Sequence, residues 1–215
     1  MFRKIDTDND FVYFTGPNPS TSFLPEVSEP RIAPSAFIGP FSAVIGDITL
    51  SDNVFVACNA SLRADEGAPF FVGCNTNLQD GVILHGLANL HVKVEGKPYS
   101  VYIGSHTSCA HGSVIHGPAY VGDCSFIGVR AVVFNASVGA YCYVGTNAVV
   151  TGGVVVAPKR MIPTGAIIDT QEKADALGPV PPELHTFAEE VLAVNIEFPE
   201  AYRKLYGQIC SCGMC

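Results

Sequence analysis

Residues 121–150 read VGDCSFIGVRAVVFNASVGAYCYVGTNAVV. Every sixth position is aliphatic: Val121, Ile127 and Val133, then, after one residue is dropped, Val138, Val144 and Val150. A helix that buries one face repeats its apolar positions near every 3.6 residues, and a half-buried strand repeats them every second. A period of six fits neither. It fits a parallel β-helix, in which each hexad is a short strand plus a turn. The aliphatic side chain then points into the prism and the next residue points out, because side chains alternate across a strand.

The same series runs outward in both directions. Upstream stand Ile32, Ile38, Val44, Leu50, Val56 and Leu62, then, after RADEGAPFF (63–71), Val72, Leu78 and Leu84. A longer interruption, GLANLHVKVEGKPYS (86–100), precedes Ile103, Cys109 and Ile115, and Val156, Ile162 and Ile168 close the pattern downstream. These are 21 hexads, which at three per coil make seven coils. Glycine and asparagine are expected at the corners, where the backbone must turn tightly. The fold class expected is all-β, a parallel β-helix of hexapeptide repeats with C-terminal α-helices.

Residues 32–168 form the expected β-helix. Residues 1–31 lack the series and contain TGPNPSTS, which predicts an irregular arm. Residues 169–215 predict a linker, helices and a cysteine-rich tail. Leu184, Phe187, Ala188, Val191 and Leu192 follow helical spacing, so an amphipathic helix should begin near Pro182. Asn195 sits on that apolar stripe, an odd place for an amide, and Pro199 can open a second short helix ending at Gly207.

Composition narrows the function classes. The chain has 215 residues, 48% hydrophobic and 15% charged, with a formal net charge of −8. Apolar material suffices for a core. No basic block suggests nucleic acid, and no apolar run approaches the roughly 18 residues of a membrane span. The start MFRKIDTDND has no apolar stretch like a secretory signal, so the expected location is the cytoplasm. Of eight cysteines, Cys58, Cys74, Cys109, Cys124 and Cys142 lie in apolar runs and read as small buried hydrophobes. Cys210, Cys212 and Cys215 crowd the terminus as CSCGMC.

Six histidines are few, and three of them stand at telling places. In the third column of hexads, His85 follows Leu84 and His116 follows Ile115, so the two should stack on one outer face a strand spacing apart. His111 belongs to the preceding column, around a corner. A catalytic zinc ion takes three protein ligands and keeps one open position. A trimer about an axis parallel to the prism would bring His111 of one subunit to His85 and His116 of the next. Nearby lie Arg63, Asp65, Glu66, Asn77, Gln79 and Asp80, with Gln79 pointing outward after Leu78 and Glu66 on a loop where it can accept a proton. For Arg63 and Asp65 the plain structural reading is an ion pair across subunits.

RADEG (63–67), NTNLQDGVILHG (75–86) and HTSCAHGSVIHG (106–117) together resemble the γ-class carbonic anhydrases, of the type found in methanogenic archaea and in the amino-terminal domain of the carboxysomal assembly protein. The likeness runs from about residue 30 to 206. It implies a homotrimer of left-handed β-helices with Zn2+, or Fe2+ or Co2+, between subunits. It implies His85, His111 and His116 as ligands, and Gln79 and Asn77 as holders of water and bicarbonate. Arg63, Asp65 and Asp80 would support the interface and site, Glu66 would assist proton transfer, and Asn195 matches an active-site asparagine on the C-terminal helix. Two positions depart from the family pattern. A proton-shuttle glutamate three residues past the first ligand is Ala88 here, and a tyrosine two residues before the helix asparagine is Ala193. His91 has the right chemistry to stand in for the shuttle.

The leading reading is therefore reversible hydration of CO2 to bicarbonate. One alternative is a non-catalytic or weakly active scaffold of the same family, with carboxysome-type assembly partners and a place inside a carboxysome. Another is a hexapeptide acyltransferase, which needs one histidine and a pantetheine groove rather than three convergent imidazoles. For the tail, ordinary surface thiols stand against a redox latch in which Cys210 pairs with Cys215 and caps the helix bearing Asn195.

Overall fold

The structure is a computed structural model in which residues 2–4 and 12–206 are described. The six-residue period is realised as a three-faced prism. Face two is a seven-stranded parallel sheet, Phe37–Ile38, Phe55–Val56, Asn77–Leu78, Ser108–Cys109, Phe126–Ile127, Tyr143–Val144 and Met161–Ile162, each one coil above the last. Faces one and three merge into one sheet, because the strands Val114–Val121 and Val132–Val138 run through the corner between them.

Register follows the hexads. Leu62 pairs with Leu84, Leu84 with Ile115, Ile115 with Val133, and Val133 with Val150. The inward residues of all three faces form one continuous core, fully buried through the middle coils. Each fully buried aliphatic side chain stabilises by about 2 kcal/mol, and the stacking of like on like leaves no room for a misaligned coil.

Two of the three corners turn at a residue with positive φ, always three places after the inward residue. Between faces two and three these are Phe41, Asn59, Gly81, Gly112, Arg130, Asn147 and Gly165, and between faces one and two Asn53, Asn75, His106, Cys124, Tyr141 and Lys159. Glycine and asparagine take this conformation at least cost, but the corners also impose it on bulky side chains. Coil-to-coil hydrogen bonds such as Arg130 N to His111 O, 2.9 Å, hold them there.

The segment expected to be irregular carries strands. Val12–Gly16 pairs in parallel with Ala43–Gly46 and adds an eighth strand to face three, and Phe2–Lys4 pairs antiparallel with it. This covers the edge that the first coil would otherwise expose. Asn18 then pins the following loop, donating to Glu26 O at 2.8 Å and accepting from Ser28 N at 2.8 Å. The interruption at 86–100 is a β-hairpin, Val92–Val94 with Lys97–Tyr99, turning at Glu95 and Gly96.

At the other end a short helix, α1 (Gln171–Asp175), capped by Thr170, seats Ala174 in the core over the last coil. A long helix, α2 (Pro182–Tyr206), then returns along face two. It is one helix, not two: Pro199 lies inside it and is buried. The proline removes one helical hydrogen bond, but aromatic packing holds both halves on the same sheet. Phe187 meets Phe126 edge-on at 5.6 Å, Phe198 lies 5.2 Å from Phe55, and Tyr202 stacks on Phe37 at 5.0 Å. Asn53 also donates to the helix carbonyl of Ile196 at 3.0 Å, beside the break.

Candidate metal centre

His85 ends the strand Ile83–His85, and His116 lies in Val114–Val121 directly opposite it in the parallel register. Leu84 and Ile115 turn inward, so both imidazoles emerge on the outer side of face three, with ring centroids 5.1 Å apart. His85 Nδ1 and His116 Nε2 face each other at 3.2 Å.

The opposite nitrogens settle where the protons sit. His116 Nδ1 is 3.1 Å from the carbonyl oxygen of Gly117, and His85 Nε2 is 3.2 Å from Asp65 Oδ1. Both partners accept and neither donates. Neutral imidazole has one N–H, and on hydrogen-bond grounds it belongs at those positions. The facing nitrogens then carry lone pairs, which repel unless a cation lies against both. Nitrogen ligands about 2.0–2.1 Å from a tetrahedral zinc ion stand roughly 3.3 Å from one another. This donor pair fits a shared metal ion.

His111 sits around the corner, on the turn after Ser108–Cys109. Its Nδ1 is 3.0 Å from Asp80 Oδ2, and 58% of its side chain is exposed. The carboxylate assigns the proton to Nδ1 and leaves Nε2 bare, the arrangement that orients metal-binding imidazoles. Among the described residues, no three His, Cys, Asp or Glu side chains of one chain converge into a metal shell.

Arg63 and Asp65 pair with each other inside the chain, at 2.7 Å. They are two apart on one strand end and point the same way, so the contact is local. Asp65 thereby joins Arg63 to His85. Glu66 stands next in line, with Oε2 4.0 Å from His85 Nε2 and Oε1 accepting from the Ala88 amide at 3.4 Å. His91 is hydrogen-bonded to the Ala68 carbonyl at 2.8 Å.

On face two, the Gln79 amide donates to Asn77 Oδ1 at 3.1 Å, and Asn77 donates to Ser108 Oγ at 2.7 Å. Asn77 is buried with both ends of its amide spent, so it positions Gln79 rather than meeting solvent itself. Gln79 reaches a groove of about 540 Å3 between α2 and face two, lined also by Asp80, His111, Cys58 and Asn195. Asn195 is nearly buried and donates to Val191 O one turn back at 2.8 Å. Most of the rest of the groove is apolar, with Phe37, Phe55, Phe126, Phe187 and Phe198 among its walls, and Glu190 and Tyr202 also line it.

Sequence reading missed Ser108, the Gly117 carbonyl and Cys58. The first was detectable, since Ser108 pairs with Asn77 one coil on. Of the five cysteines expected in the core, Cys109 and Cys142 are buried, while Cys58, Cys74 and Cys124 are part-exposed at corners. Burial pushes the Cys109 thiol up to about 12. The latch residues Cys210, Cys212 and Cys215 lie outside the described residues.

No protein-family model matches the chain. It is 48% identical over 178 residues to the carboxysome assembly protein CcmM of Nostoc, covering 82% of this chain but 32% of that protein, so the chain spans about a third of its length. It is 42% identical over 200 residues to the carbonic anhydrase of Methanosarcina thermophila, covering 87% of this chain and 80% of that one. Among solved structures, a putative acetyltransferase from Bacillus cereus superposes with a TM-score of 0.69 at 19% identity, over 83% of this chain and 94% of that one. That likeness speaks for the fold alone. No helix among the described residues is long and apolar enough to cross a membrane.

Proposed function

The chain belongs to the γ-class carbonic anhydrase family, and from that premise we propose that it catalyses the reversible, metal-dependent hydration of CO2 to bicarbonate at the subunit interfaces of a homotrimer. The observation that carries the reading is the pair of facing imidazole nitrogens at 3.2 Å, each ring oriented by an acceptor behind it. His85 and His116 of one subunit and His111 of its neighbour would hold the ion, zinc by the chemistry of three imidazoles, with iron or cobalt able to use the same donors.

When bound, such an ion supplies acidified water at neutral pH. The chain's own residues do the rest. Asp65 and Asp80 keep the protons of His85 and His111 on the nitrogens away from the ion. Gln79, held by Asn77 and Ser108, offers an amide to a water or bicarbonate beside His111. Glu66, next to His85 and part-exposed, takes up the proton at a carboxylate oxygen and passes it to solvent. Asn195 and the aromatic wall of the groove exclude bulk water from the neighbourhood of Gln79.

The test is CO2 hydration by stopped flow on metal-replete protein. The expected result is a rate above background that chelation removes and zinc restores. A second reading has its own support: the proton-shuttle glutamate is replaced by Ala88, and CcmM of Nostoc is named for assembly. Protein that binds one metal ion per chain yet leaves CO2 hydration at background would establish that scaffold reading instead, with carboxysome-type partners.

A further inference from the structure

Asn53, Asn75 and His106 occupy equivalent positions on three successive coils, at the corner between faces one and two. Each stands three residues past an inward residue of face one, and those residues pair in register, Leu50 with Val72 and Val72 with Ile103. Their partly buried side chains form one line of hydrogen bonds that ends on α2. Asn53 Nδ2 donates to Ile196 O at 3.0 Å and to Asn75 Oδ1 at 2.9 Å, and Asn75 Nδ2 donates to His106 Nε2 at 3.1 Å. The line has one direction. A carbonyl oxygen only accepts, so the Asn53 group against Ile196 is its NH2. Asn75 must then turn its oxygen to Asn53 and its NH2 to His106, and His106 must offer a lone pair at Nε2. The attachment falls where Pro199 leaves α2 one backbone amide short.

We propose that this line is a pH-sensitive clasp: neutral His106 orients Asn75 and Asn53 so that α2 is held over the groove, and a proton taken from solvent at His106 Nε2 loosens it. Imidazole is the side chain that ordinarily gains a proton as pH falls from about 8 to 5. With a proton on Nε2, the ring meets the Asn75 NH2 donor against donor. Turning the Asn75 amide relieves that clash but sets its NH2 against that of Asn53. Turning Asn53 in answer sets its oxygen against the Ile196 carbonyl. If the ring swings out instead, nothing fixes the direction of Asn75. The other charged or titratable groups along this corner are Asp52, the thiols of Cys74 and Cys124 on the flanking coils, and Asp123, which accepts from Ser105 N at 2.7 Å. From α2 come Arg203, which donates to Ser35 O, and the pair His185–Glu189 at 3.4 Å. The clasp does not depend on the proposed reaction, but it governs the helix that carries Asn195 over Gln79.

The experiment is hydrogen–deuterium exchange on the full chain at about pH 7.5 and about pH 5.5, on either side of the usual imidazole range. Results are compared as protection factors, which removes the intrinsic pH dependence of exchange. Three proteins are used: wild type, His106→Asn and Asn53→Gly. His106→Asn keeps an acceptor for Asn75 that takes no proton, and asparagine already occupies the two equivalent corners, where φ is 56° and 54° against 57° at His106. Asn53→Gly removes the bond to α2 and suits the same backbone. In wild type, acid should lower protection of residues 195–206 about five- to tenfold, the loss of roughly one hydrogen bond, with the strand Val132–Val138 unchanged. His106→Asn should keep its protection at both pH values, and Asn53→Gly should be low at both. Wild-type protection equal at the two pH values would overturn the clasp. So would an acid loss that persists in His106→Asn, which would assign it to His185–Glu189 or another group. Neither metal nor turnover enters this measurement, so failure of CO2 hydration would leave it standing.

Discussion

His85→Ala and His111→Ala each remove one imidazole from the proposed site, but from different surfaces. A subunit with His85→Ala keeps its His111 corner intact, and a subunit with His111→Ala keeps its His85–His116 face. Mixed in equal amounts, unfolded together and refolded, the two chains would distribute at random around the proposed trimer. A complete site needs an intact corner from one neighbour and an intact face from the other. Each is present half the time, so about a quarter of interfaces should be whole. The expected zinc content after gel filtration is thus roughly a quarter of the wild-type value, against much less in either parent. The number follows from the corner between faces two and three, which turns His111 away from the face that holds the histidine pair. Elemental analysis of the trimer peak gives the result directly. Mixed trimers with no more zinc than their parents would refute the interface and place the whole site within one chain.

Asp65→Asn, which loses the charge behind His85 Nε2, should weaken zinc binding about 10- to 100-fold by chelator competition. Its effect on thermal stability should stay within about 1 kcal/mol, since the Arg63 partner is half exposed. Gln79→Ala should retain most of the metal while lowering hydration about 10- to 100-fold in a stopped-flow assay. Ile115→Ala, in the middle of the stacked core, should cost about 2–5 kcal/mol in urea unfolding. At pH 8 the Cys109 thiol, raised to about 12, remains protonated and poorly nucleophilic, so mass spectrometry should find it unmodified by iodoacetamide until the prism unfolds, while part-exposed Cys74 reacts.

The β-helix was legible because its core is built from nearest-neighbour repetition. A residue six places along the chain occupies the next face, so periodicity alone places Leu84 over Leu62 and His85 beside His116. The same logic carried the outward direction of Gln79 and the location of His111 around a corner. Helix α2 was harder. Its start at Pro182 showed in the spacing, but Pro199 read locally as a boundary. The aromatic contacts to Phe37 and Phe55 that carry the helix past it come from strands more than a hundred residues earlier, and no local pattern contains them.

The site divides along the same line. From the chain alone came the residue types, the spacing and the stacking of two imidazoles, because a strand fixes the direction of its side chains. Tertiary structure decided which oxygen meets which nitrogen. Asp65 turned to His85 and Arg63 of its own chain, Asn77 spent its amide on Ser108 and Gln79, and Asp80 came to lie between Cys58 and His111. These choices depend on side-chain torsions and on coils 20 to 30 residues apart, at distances where half an ångström separates a hydrogen bond from none. A repeat in the sequence determines where a backbone goes, and only the packed coils determine where the protons sit.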